Sequence, residues 1–289
     1  MKILVLGSDG QLGRCLKDQF ACAEHQIIFT TRSTLDISDF NAAQDQIRLI
    51  KPDLIINASA YTAVDKAEDD REYAYLINQY AVENIANICV QLNCSLIHVS
   101  TDYVFDGSAT QPYSEDDCTN PQGVYGKSKL CGERAIQASG CQYVIIRTAW
   151  VFSEYGNNFL KTMLRLGAER SELSVVGDQF GCPTYAQDIA HCIIVLLPYF
   201  QEDHFESEIV HYCGDKPCSW YQFSLEIFTC AADLGLPTPE VVKSITTEQY
   251  PTPAVRPRYS VMDCQKIFHK FKLLPSNWRD GLTHAINKL

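Results

Sequence analysis

Three short segments of the chain gather residue types that can do chemistry. Tyr125 and Lys129 stand four residues apart in VYGKSKLCGERAIQAS (124–139), a segment that reads as a helix. That spacing puts a phenol and an ammonium on one helix face, within reach of a common ligand. A phenol of ordinary pKa, about 10, donates poorly to an alkoxide, and a nearby ammonium would favour the phenolate and lower that pKa. Ser100-Thr101-Asp102 closes the apolar run CSLIHVST and adds a hydroxyl. Gly7-x-x-Gly10-x-x-Gly13 follows the run KILVLG and opens a second helical pattern. Gly7 there permits a tight turn, Gly10 lets the backbone approach a pyrophosphate, and Gly13 lets the helix lie close to its strand. The first N–H groups of that helix then face the anion. A tyrosine and lysine at this spacing are common on surface helices, and spaced glycines occur at ordinary strand-to-helix corners. Their conjunction points to a dinucleotide-dependent enzyme.

Such a constellation needs a scaffold that brings strand ends together. Apolar, β-rich runs fall at 2–7, 26–31, 53–59, 94–101 and 141–152. Helical patterns lie between them at 11–20, from Asp36 or Ser38 (as caps) to 50, at 72–92 and at 124–139. Alternation of this kind, with nearly continuous Ile, Val and Leu in the strands, predicts an α/β fold: a doubly wound parallel Rossmann-type sheet covered on both faces. Its ligands belong at the carboxyl ends of the strands. Past Asn157 prolines become frequent, and helices at 158–166 and 219–234 alternate with irregular segments. We expect a dinucleotide-binding domain over 1–156 and a smaller mixed α/β substrate-binding lobe over 157–289. A helix at 187–197 and a strand are expected to return to the first unit.

Composition limits the partners. The 289 residues carry 24 lysines and arginines against 35 aspartates and glutamates, a net charge of −11. An acidic chain is a poor general ligand for nucleic acid or an anionic membrane surface. Its longest apolar stretch, Ile189 to Phe200, contains His191 and Pro198 and is too short to span a bilayer. MKILVLG lacks the apolar core of a secretory signal, which makes the cytoplasm the expected location. Thirteen cysteines, Cys22 among them, have irregular spacing with no C-x-x-C, as expected of reduced, buried thiols and not of a zinc site. The seven histidines, His204 included, show no paired ligand spacing, and His98, inside a strand, reads as a core residue. Glu68-Asp69-Asp70 reads as a solvated start to the helix at 72–92, and Glu115-Asp116-Asp117 as exposed loop.

The second strand ends Thr30-Thr31-Arg32-Ser33, where NAD-preferring chains usually carry an acid. Arg32 can meet a 2′-phosphate, so NADPH is the expected cofactor, with NADH possible. Asp36 and Ile37 could flank the adenine.

The stretches LGSDGQLG (6–13), INASAYTAVDKAE (56–68), HVSTDYVFDG (98–107), VYGKSKLCGE (124–133), RTAWVF (147–152), DQFGCPTYA (178–186) and RPRYSVMD (256–263) resemble the dTDP-4-dehydrorhamnose reductase family, extended short-chain dehydrogenase/reductases. The likeness covers nearly the whole chain. It implies hydride transfer from NAD(P)H to C4 of dTDP-4-dehydro-β-L-rhamnose, giving dTDP-L-rhamnose. By the same resemblance Tyr125 protonates the alkoxide, Lys129 orients the cofactor and tunes Tyr125, and Thr101 holds the carbonyl oxygen. Gly10, Gln11, Leu12, Asp36, Ile37, Ala60, Tyr61 and Thr62 would line the cofactor. Thr62, Val64, Asp102, Tyr103 and Trp150 would border the sugar, Trp150 as a flat wall. Arg256 or Arg258 could pair with the diphosphate. The chain departs from the family at Cys15 and Gln187, where some members carry glutamates that bind magnesium across a dimer. No metal is therefore expected, and the chain should be a monomer or a metal-independent homodimer. Cys182 and Tyr61 also replace the usual alanine and histidine. The same branch resembles a regulatory subunit of methionine adenosyltransferase, and its wider family includes nucleotide-sugar epimerases. The complete set Thr101, Tyr125, Lys129 and Trp150 argues for the reductase.

Overall fold

The computed structural model describes residues 1–21, 25–202 and 205–289. Cys22 and His204 lie outside the described residues. The first half alternates β1 (Lys2–Leu6), α1 (Gln11–Phe20), β2 (Gln26–Thr30), α2 (Phe40–Ile50), β3 (Leu54–Asn57), α3 (Arg71–Tyr75), α4 (Ala81–Leu92), β4 (Ser95–Thr101), α5 (Val124–Ser139) and β5 (Tyr143–Thr148). Then come β6 (Val151–Phe152), α6 (Phe159–Glu169), β7 (Glu172–Val176), β8 (Phe180–Gly181), β9 (Thr184–Tyr185) and α7 (Ala186–Leu196). The chain closes with β10 (Glu208–His211), β11 (Cys218–Ser219), α8 (Trp220–Asp233), β12 (Val241–Ile245), α9 (Gln265–Phe271) and α10 (Trp278–Asn287).

Six strands form a parallel sheet in the order β10-β5-β4-β3-β1-β2. Because side chains alternate along a strand, Ile3 and Val5 of β1 join a core with Leu12 and Leu16 of α1 and Ile189 and Ile193 of α7. Leu4 and Leu6 face the opposite core, with Ile47 of α2, Ile85 of α4 and Ile136 of α5. All four residues of β3 are buried, as expected of a strand covered on both sides. A third core joins Phe152, Leu160, Phe223, Ile227, Trp278 and Leu282, and the pair β7–β12 lies beside it. Both α7 and β10, from the second half of the sequence, therefore belong to the layers of the main sheet. The order reverses between β1 and β3, which opens a crevice at their carboxyl ends.

Three sequence expectations are corrected. The cap of α2 is Asp39, whose side chain accepts from Ala42 N–H; Asp36 instead accepts from the N–H and hydroxyl of Ser38. The run at 141–152 is not one strand: Trp150 takes a left-handed φ of 47°, and the chain beyond it leaves β5 to pair with β9. The helix at 72–92 is broken by a π-helical turn at Leu76–Tyr80, which swings Asn78 towards the site.

Candidate active site

The glycine turn has the shape its spacing requires. Gly7 has φ +78°, and a Cβ there would lie 2.7 Å from Ser59 N. A Cβ at Gly13 would fall 2.4 Å from Gly7 O, so α1 can approach β1 this closely only through glycine. Gly10 is exposed and caps α1 without a side-chain bond, and no acid occupies the first turn. The first N–H groups of α1 are thus open to an anion, and the buried Ser8 hydroxyl beside them has no partner. Leu12 is buried in the core and offers the turn its backbone only. Gln11 reaches the other way: its Oε1 accepts from Ser153 Oγ (3.0 Å) and Asn158 Nδ2 (2.7 Å), tying the turn to the start of α6.

Beyond β2, exposed Arg32 pairs with Asp36 at 3.3 Å and lies over the Tyr73 ring, 5.6 Å from its centroid. Tyr73 meets Tyr61 edge-on at 5.7 Å, which joins the β2 and β3 loops. Burial pushes the Asp36 carboxyl up, but the Ser38 bonds and Arg32 outweigh it and hold it below the usual range. Ile37 is buried. Ala60 and Tyr61 are partly covered and Thr62 is exposed, all after β3. Asn78 clamps this loop, accepting from Tyr61 N–H (2.9 Å) and donating to Tyr61 O (3.0 Å) and Ser128 Oγ (3.0 Å). Sequence reading missed Asn78, because its partners are 17 and 50 residues away.

Thr101 ends β4, and its hydroxyl, which donates to Asp102 Oδ1 and accepts from Tyr103 N–H, lies near the phenol of Tyr125 on the first turn of α5. Burial raises the Tyr125 pKa, and Thr101 works in the opposite direction. Lys129 makes no hydrogen bond to this phenol. Its Nζ is turned to Val99 O (2.7 Å) and lies 3.2 Å from His98 Nε2, because a buried amine must find hydrogen-bond partners. Lys129 is 1% exposed, and burial lowers its pKa to about 8 while Glu133 pulls upward. A further correction concerns Glu68. Its Oε1 accepts from Val124 N–H at 2.8 Å, so this charge caps the helix that carries Tyr125. Glu115 is no exposed loop residue either: it accepts from His211 N–H at 2.7 Å and joins its loop to β10.

Asp102 and Tyr103 follow directly. Asp102 Oδ1 accepts from Thr101 Oγ1 at 3.0 Å, and Tyr103 stands edge-on to Tyr125 at 5.5 Å. Arg256 donates to Tyr103 Oη (2.9 Å) and to Asp65 Oδ2 (2.6 Å), which brings it to the rim near Val64. Arg258 lies apart, exposed and 4.0 Å from Asp178. Trp150 does not present a bare wall: Trp220 stacks on it at 3.4 Å and 6°, and a Cβ on Gly181 would come within 2.5 Å of the indole.

Burial pushes the Asp102 carboxyl up to about 6, against the Thr101 bond. A raised carboxyl contributes stability in full below its unfolded pKa, and that contribution is lost as pH rises through about 6. Ionised Asp102 therefore costs the fold up to about 3 kcal/mol at pH 7. Asp102→Asn should be more stable than the parent in urea unfolding at pH 7, with the gain shrinking towards pH 4.

Of the described cysteines, Cys15, Cys89, Cys94, Cys141, Cys182, Cys192, Cys213, Cys218 and Cys264 are buried, and none forms a disulfide. Cys15 sits inside the α1–α7 layer and Gln187 is partly covered on α7. Among the described residues no group of three or more His, Cys, Asp or Glu is placed to hold a metal ion. None of their helices is long and apolar enough to cross a membrane.

An open glycine turn and a threonine near a tyrosine at the strand ends have counterparts among known proteins. The family model described as the RmlD substrate binding domain matches residues 1–289. The chain belongs to that family. It is 39% identical to the dTDP-4-dehydrorhamnose reductase of Escherichia coli K12 over 100% of this chain and 98% of that protein. The crystal structure of a dTDP-4-dehydrorhamnose reductase from Clostridium acetobutylicum superposes with a TM-score of 0.93 at 38% identity, covering 100% and 99% of the two chains. The Bacillus anthracis enzyme of that name, solved in complex with NADP, gives a TM-score of 0.91 at 34% identity, with 100% and 99% covered.

Proposed function

We propose that the protein reduces the C4 ketone of dTDP-4-dehydro-β-L-rhamnose to dTDP-L-rhamnose with NADPH. The observation that carries the reading is the placement of the Thr101 hydroxyl and the Tyr125 phenol near one another at the carboxyl end of the sheet. Relatives named for this reaction, alike over their full length, support it. When bound, NADPH supplies the hydride. The glycine turn and the open N-terminus of α1 would hold its pyrophosphate, Asp36 and Ile37 would flank the adenine, and the Ala60–Thr62 loop clamped by Asn78 would support the rest.

Tyr125 gives its proton to the C4 oxygen as negative charge develops there, while Thr101 holds the same oxygen. Burial keeps this phenol protonated across the neutral range but makes it a weaker acid, and the nearby Thr101 hydroxyl works against that rise in pKa. Asp102, Tyr103 and Val64 border the hexose. Arg256, oriented by Tyr103 and Asp65, keeps further N–H groups for the diphosphate. Residues 157–289 supply most of the substrate lobe, and the enzyme acts in the cytoplasm as a monomer or a metal-independent homodimer.

Two assays test this. Purified protein should oxidise NADPH stoichiometrically with dTDP-4-dehydrorhamnose; conversion without net NADPH loss would instead mark an epimerase. Arg32→Ala should lower kcat/KM for NADPH about 10–100-fold, the worth of one charge-assisted hydrogen bond, and leave that for NADH unchanged. Equal losses with both cofactors would remove Arg32 from the 2′-phosphate site.

A further inference from the structure

Lys129 lies at the end of a buried chain that crosses three elements. Asn57, at the end of β3, accepts from Ser59 N–H (3.1 Å) and Ser59 Oγ (2.5 Å) through Oδ1. A backbone N–H can only donate, so the amide orientation is fixed and Asn57 Nδ2 faces His98 Nδ1 at 3.1 Å. Nδ1 must then accept. A neutral imidazole that accepts at Nδ1 carries its proton on Nε2, and Nε2 is the atom 3.2 Å from Lys129 Nζ. An ammonium offers only N–H groups, so this pairing is satisfied when Lys129 is an uncharged amine taking the Nε2–H on its lone pair. Nζ then donates to Val99 O. Asn57 and His98 are fully buried, so water cannot relieve a mismatch.

We propose that Asn57 and His98 are positioning residues that oppose the charging of Lys129, so that it exchanges its proton within the working pH range instead of remaining an ammonium. The inference deepens the reductase reading and rests on it for its catalytic meaning. Other ionisable groups around Lys129 do not duplicate the effect. Glu133, one turn on along α5, favours the charged form but is bonded to Arg147 of β5. Tyr125 stands one turn back on α5, and burial keeps His98 of β4 neutral. Charging Lys129 requires His98 to move its proton to Nδ1 and Asn57 to turn its amide. The lysine is thereby linked through two residues to the Ser59 turn, against which Gly7 packs.

Asn57→Asp tests this with little change of shape. A carboxylate keeps both Ser59 bonds and accepts from Nδ1–H, so Nε2 becomes an acceptor for the ammonium. Nitrogen-15 NMR of the ligand-free protein should find His98 protonated on Nε2 in the parent and on Nδ1 in Asn57→Asp. Carbon-13 NMR of the lysine Cε, assigned with Lys129→Met, should show the Lys129 midpoint at least one pH unit higher in Asn57→Asp. The alkaline limb of kcat for NADPH oxidation should move up with it. His98 protonated on Nδ1 in the parent, or an unmoved Lys129 midpoint in a folded Asn57→Asp, would overturn the proposal. If Asn57→Asp does not fold, the parent tautomer decides alone. The NMR results stand whether or not the reductase assay succeeds, so failure of the substrate assignment and failure of this inference are distinguishable.

Discussion

Tyr125→Phe is expected to lower kcat about 10²–10⁴-fold, the usual worth of a positioned general acid. Little else should change. The ring edge that meets Tyr103 is retained, and the lost hydroxyl makes no hydrogen bond that the fold depends on. KM for the nucleotide sugar and the affinity for NADPH should stay within about threefold, because the proton is transferred only as charge builds on the C4 oxygen. Stopped-flow measurement of NADPH oxidation checks the rate, and fluorescence titration checks the binding. A fall in affinity as large as the fall in kcat would make Tyr125 a binding residue and leave the acid unidentified.

Glu133→Gln should produce the largest loss of stability, about 3–5 kcal/mol. Glu133 and Arg147 are 1% and 3% exposed in their side chains and meet at 2.7 Å, with further bonds from Arg147 Nε at 3.1 and 3.2 Å. The neutral amide keeps the volume but leaves the guanidinium buried without a counter-charge, its remaining neighbours being the Phe105 ring and neutral His211. Urea unfolding should show the midpoint fall at constant m-value, and thermal unfolding should drop on the order of 10 °C. Ser100 also donates to Glu133 Oε1 at 2.5 Å, and the single oxygen of the amide must then serve Ser100 and Arg147 together. Activity per folded molecule should fall modestly as well. Unchanged stability would mean that water reaches Arg147.

Other parts of the molecule show how far local sequence carries. Alternating strands and helices, with Ile3 and Val5 opposed to Leu4 and Leu6, encode a two-faced sheet. Gly13 is required by contacts with Gly7 and Ser8 inside one turn, and Gly7 by its own positive φ, so their spacing reports the geometry, although the crowding of Gly7 by Ser59 comes from another strand end. Glu68 shows the limit. Its charge suits a helix start, but the helix it caps begins 56 residues later, and only folding decides between that helix and the nearer one. Trp150 is similar: nothing local announces a left-handed residue inside an apolar run, or that Trp220 will cover its ring.

The parallel α/β plan, the glycine turn and the Tyr125–Lys129 pair are legible along the chain, because each depends on periodicity or on neighbours a few residues apart. Which groups surround that pair and set its protonation emerges only on folding. Thr101 approaches Tyr125 across 24 residues and His98 reaches Lys129 across 31, and burial, which no single segment specifies, is the dominant influence on both ionisable groups.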